Sequence, residues 1–63
     1  MRKSTYLFVA LDTKGKTLRR CSQRCDGISA HERTQGLLTS TPHAAAVYGY
    51  ERRGHQVHSA YRT

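Results

Sequence analysis

The sequence predicts an α+β fold: a small three- or four-stranded, mostly antiparallel sheet with one helix packed on it, in the order β-β-β-α-β. Three observations carry that expectation. Residues 5–11 are rich in Tyr, Phe, Val and Thr, which suit a pleated surface, and the run is too short for an isolated helix. Residues 12–16, Asp-Thr-Lys-Gly-Lys, read as a hairpin turn in which Gly15 takes positive φ at little cost. Residues 42–53 set three consecutive alanines behind a proline, a composition that favours a helix.

The elements follow in order. The first strand, residues 5–11, sends Leu7, Val9 and Leu11 to one face and Tyr6, Phe8 and Ala10 to the other. The second runs from about residue 16 to 23, after the turn. Residues 24–31 read as loop with at most one helical turn; Asp26-Gly27 marks a turn, and Ser29-Ala30-His31-Glu32 fits a capping box that no amphipathic run follows. Residues 33–39 are expected as a third strand. The helix is expected over residues 42–53, with Thr41 as its cap, Pro42 in its first turn, and Ala46, Val47 and Tyr50 on one face. Arg52 and Arg53 would complement its carbonyl end and Gly54 would close it, while Gly49 weakens it. Residues 55–61 form the closing strand, with Val57 and Tyr61 on one side.

Charge sets the partner. Eleven Lys and Arg stand against four Asp and Glu, a formal +7 on 63 residues, spread along the whole chain. Such a surplus attracts polyanions and speeds their encounter. Ile, Leu, Val and Phe make up under a fifth of the residues. One domain of this length buries only about 60% of its unfolded surface, and ordering costs roughly 1.5 kcal/mol per residue. Either the four Tyr carry much of the core, or a second copy of the chain, a metal or nucleic acid completes it. A homodimer is the expectation. The basic, apolar run at the N-terminus is shorter than a leader's hydrophobic region, ends in Asp12 and lacks a small-x-small cleavage site. The chain is therefore read as one cytoplasmic domain, residues 1–63, without a membrane partner.

Two constellations point to nucleic acid, with DNA expected over RNA. A three-residue turn sets Phe8 opposite Arg20 and a four-residue turn sets it opposite Arg19, with Tyr6 on the same face. If the helix covers the Leu7/Val9/Leu11 side, Tyr6 and Phe8 become an open platform for base stacking. If it covers the other side, both rings are core. The second constellation is the basic surface itself: Lys14 and Lys16 at the hairpin, Arg19, Arg20 and Arg24 on the second strand, and Arg52 and Arg53 further on. Lysine and arginine neutralise phosphates and release counterions, giving affinity without sequence preference. An acidic protein surface would be bound by the same side chains, so an interaction module or inhibitor is the alternative.

Other chemistry is poorly supported. Cys21, Cys25, His31, His43, His55 and His58 invite a zinc reading, but His-x2-His is short for a zinc finger and strand-borne ligands at that spacing face apart. A Cys21–Cys25 disulfide would exceed the bridging distance of roughly 7 Å on an extended strand. Asp12, Asp26, Glu32 and Glu51 propose no carboxylate dyad, and no phosphate-cradling glycine loop is present. The expectation is a non-enzymatic, regulatory or accessory protein without cofactor or metal.

Overall fold

The computed structural model describes residues 3–53 and 57–62. Four strands and one helix follow as β1 (Ser4–Leu11), β2 (Thr17–Cys25), α1 (Gly27–Ser40), β3 (Ala46–Glu51) and β4 (Val57–Tyr61). The strands form one antiparallel sheet in the order β2-β1-β3-β4, and α1 lies across β1, β3 and β4. The α+β class and the single helix on a four-stranded sheet agree with the sequence. The helix falls between the two hairpins, so the order is β-β-α-β-β.

That order corrects three expectations. Where a loop over residues 24–31 and a strand over residues 33–39 were expected, Arg24 and Cys25 end β2 and α1 takes residues 27–40. Asp26 is its cap, accepting a 2.7 Å hydrogen bond from the Ser29 amide at Oδ1. The Ser29 capping box thus sits three residues too far along. Ala30, Thr34, Leu37 and Leu38 recur at helical spacing and face the sheet, with the first three buried. Thr34 hides this pattern because it is polar by composition. Its hydroxyl donates to the Ala30 carbonyl at 2.8 Å, which lets it serve as a core residue.

The third correction is that residues 46–51 are strand, not helix. Val47, Gly49 and Glu51 are buried while the residues between them are more exposed, a period of two. Alanine's helical advantage is at most about 0.7 kcal/mol per residue over ordinary residues, which pairing and burial of Val47 readily exceed. Thr41 caps the C-terminus of α1, its amide donating to Leu37, and Pro42 follows where no helix can continue. Arg52 and Arg53 sit in the turn after β3. Gly54 and His55 lie outside the described residues.

The hairpin matches the sequence closely. Gly15 has φ +80°, and the Asp12 carboxylate accepts the amides of Lys14 and Lys16, each at 2.9 Å. Asp12 and Lys16 close a three-residue loop. One residue later the register slips: Leu11 faces Thr17, but Ala10 faces Arg19, leaving Leu18 as the extra residue of a bulge. Phe8 therefore pairs with Cys21 and with neither Arg19 nor Arg20.

The core lies between α1 and the Tyr6/Phe8/Ala10 face. Tyr6, Phe8, Ala10, Cys25, Val47 and Ala60 pack there against the helix, with Ala44 alongside. Burial pushes the Tyr6 phenol above its ordinary value, and the Glu51 carboxylate beside it adds to the shift. Most of these side chains are small, so the helix approaches closely, and at Gly49 it leaves no room for a Cβ. A Cβ built on Gly49 would come within 2.7 Å of the Phe8 ring and 2.8 Å of the Thr34 hydroxyl.

Candidate nucleic-acid interface

One side of the sheet carries no helix. In the ladder, directly opposed residues share a face, and the open face reads as rows across the strands. Thr17, Leu11, Ala46 and Tyr61 form one row; Arg20, Val9, Tyr48 and Ser59 the next; Ser22, Leu7, Tyr50 and Val57 the third. Arg24 and Thr5 begin a fourth, which Arg52 extends by donating its amide to the Thr5 carbonyl at 2.8 Å. The centre is aliphatic and aromatic. Arginines stand along one edge and at one end.

Tyr6 and Phe8 do not belong to this face. They are 2% and 1% exposed beneath α1, so of the two alternatives the rings are core, and Tyr6 and Phe8 are not an open platform for bases. The bulge at Leu18 has a further consequence. Shifting a strand by one residue exchanges its faces, so Arg20 and Arg24 stand on the open side while Arg19, Cys21 and Cys25 stand on the helix side. Lys14, Lys16 and Arg19 are exposed at the hairpin end and on the outer strand.

At the opposite end the fold gathers cations from separate parts of the chain. Lys3, Arg24, Arg52 and Arg53 line one open groove of about 540 Å3 with Ser4, Thr5 and Glu51. Three of these cations were expected to bind polyanions; Lys3 joins them because the start of β1 pairs with the end of β2. Glu51, nearly buried on the helix side of β3, is the one carboxylate among the groove's lining residues.

The tyrosines of the second hairpin are what the sequence reading missed. Tyr50 is 38% exposed and Tyr61 is 60% exposed. Tyr48 meets Tyr61 edge to face, with ring centroids 5.7 Å apart, and a hydrogen bond with the Tyr61 side chain pushes the Tyr48 phenol upward. Beside them Thr5, Leu7, Ser22, Tyr50 and Arg52 enclose a shallow depression that shares Thr5 and Arg52 with the basic groove. The signal was present in Val-Tyr-Gly-Tyr-Glu, an alternation fitting a half-exposed strand.

Both cysteines are free thiols; burial, then the nearby Asp26 carboxylate, raises the Cys25 thiol, which packs as a small apolar group. The His58 ring packs against the rings of Tyr6 and His31. Among the described residues no three His, Cys, Asp or Glu side chains come together, and no helix is long and apolar enough to cross a membrane. No protein-family model matches the chain, and no curated protein and no solved structure shows significant similarity to it.

Proposed function

We propose that this protein is a small, non-enzymatic nucleic-acid-binding accessory or regulatory factor whose affinity comes mainly from phosphate contacts. The observation that carries this reading is the convergence of Lys3, Arg24, Arg52 and Arg53 on one groove. Four like charges held together cost folding energy through mutual repulsion, and a polyanion relieves it while releasing counterions. The groove is open and polar, which suits a hydrated phosphodiester chain better than an enclosed small substrate. Lys14, Lys16 and Arg20 extend the positive surface toward the hairpin.

Fluorescence anisotropy with labelled single-stranded and duplex DNA and RNA, across a salt series, tests the reading. With about four phosphates neutralised, log K should fall against log salt with slope about −3.6 on duplex DNA and about −2.8 on single strands. Arg24→Ala with Arg52→Ala should cut either slope by about half, whatever the base sequence. A flat salt response, or no binding to any of the four ligands, would overturn it in favour of an acidic protein surface.

A further inference from the structure

We infer that the open sheet face is a stacking site for single-stranded nucleic acid, in which Tyr50 and Tyr61 take bases and Arg20, Arg24 and Arg52 take the flanking phosphates. This rests on the nucleic-acid reading above and deepens it by naming the strand state of the ligand.

The geometry requires unpaired bases. Tyr50 pairs with Val57 and Tyr61 lies four residues further along β4, so at about 3.3–3.4 Å per residue the two rings stand in rows roughly 13 Å apart. That is about four times the roughly 3.4 Å spacing of stacked bases in a duplex strand, so each ring takes a base that has left its stack, and a paired duplex presents none. Tyr61 continues the path diagonally on β4, and its edge-to-face contact with Tyr48 holds its ring in place. Stacking on exposed rings tolerates any base, because every base presents a π face.

Charge decides between a nucleic acid and a second copy of the chain as occupant. The apolar rows are bordered by Arg20 and Arg24 along β2 and by Arg52 at the end of β3. A second copy would bring its own +7 and its own arginine border against these. A strand of phosphates meets the same border with opposite charge. The depression beside Tyr50 also shares Thr5 and Arg52 with the cationic groove, so one strand can lay bases on the sheet with phosphates beside these residues.

The chain contains no Trp and four Tyr, so its intrinsic emission is tyrosine emission and reports stacking without any substitution. Titrating the full chain with a short oligothymidylate should quench that emission, while a duplex of equal length should bind with little quenching. In anisotropy, Tyr50→Leu and Tyr61→Leu should each weaken single-strand binding roughly tenfold and leave duplex binding nearly unchanged. Tyr50→Phe and Tyr61→Phe, which keep the ring, should restore single-strand affinity and so separate stacking from any loss of fold. Equal losses on both ligands, or unaltered single-strand affinity in the leucine variants, would overturn the inference while phosphate binding stands. Sedimentation showing a dimer that Tyr50→Leu dissociates would overturn it in favour of a second copy. Absence of binding to every oligonucleotide would instead remove the parent reading.

Discussion

At Gly49 one methyl group decides whether the helix can close on the sheet. Its Cβ would overlap the Phe8 ring, which lies over β3, and the Thr34 hydroxyl of α1. Gly49→Ala should therefore destabilise the protein by about 1–3 kcal/mol through overpacking, read from a urea midpoint. Gly36 is the opposite case: it is exposed within α1 and nothing lies within 4 Å of a built Cβ. Gly36→Ala should stabilise by about 1 kcal/mol, since the helix no longer carries glycine's entropy. Asp26 links stability to pH. The hydrogen bond from the Ser29 backbone holds its carboxyl below the ordinary value. A group depressed on folding stabilises above its unfolded pKa of about 3.9 and loses that contribution as pH falls through the folded value. Asp26→Asn keeps a capping oxygen without the charge, so its melting temperature should fall less between pH 5 and pH 2 than that of the parent.

The elements depend on residues distant in sequence. Helix α1 has no basic residue in its last turn, where unpaired carbonyls and the negative end of the dipole would welcome one. Arg62, just beyond β4, supplies it: its guanidinium donates to the Leu38 carbonyl at 2.5 Å and to the Ala44 carbonyl at 2.8 Å. One of the eleven cations thus ties the last strand to the helix end. Arg62→Ala should cost about 1–3 kcal/mol, and Arg62→Lys should recover only part of it, because an ammonium lacks the planar fork. Denaturant titration of both variants checks this. Strand β2 shows the other use of arginine. It is an edge strand, and Arg19, Arg20 and Arg24 oppose pairing with another chain's edge.

For the whole molecule, small side chains in the core leave little surplus stability, so a ligand should be visible in the melting curve. At free ligand ten times Kd, linkage adds about 1.4 kcal/mol, or roughly 6–11 °C for a domain of this size. Calorimetry with and without oligothymidylate at low salt should show that rise, and high salt should abolish it. A melting temperature indifferent to oligonucleotide while anisotropy reports binding would mean that the ligand binds folded and unfolded chain alike. Without ligand, dilution tests the expected homodimer: pairing with a second copy makes the melting temperature fall on dilution, and a constant value removes the dimer.

The sequence by itself determined the charge, the α+β class, the turn at Gly15 and the division of β1 into two faces. Each of these rests on contacts within a few residues or on composition alone. Tertiary structure decided which face of β1 was covered, and hence that Tyr6 and Phe8 are core while Tyr50 and Tyr61 face outward. It also decided where the helix lies: Thr34 became a core residue through a hydrogen bond to Ala30, and the alanines before Val47 were drawn out of helix. The bulge at Leu18 moved Arg20 and Arg24 onto the open face, a one-residue event that leaves no composition signal. The physical reason is one of scale. Local propensities differ by less than about 1 kcal/mol per residue, whereas closing a small core around Phe8 and Gly49 satisfies several elements at once.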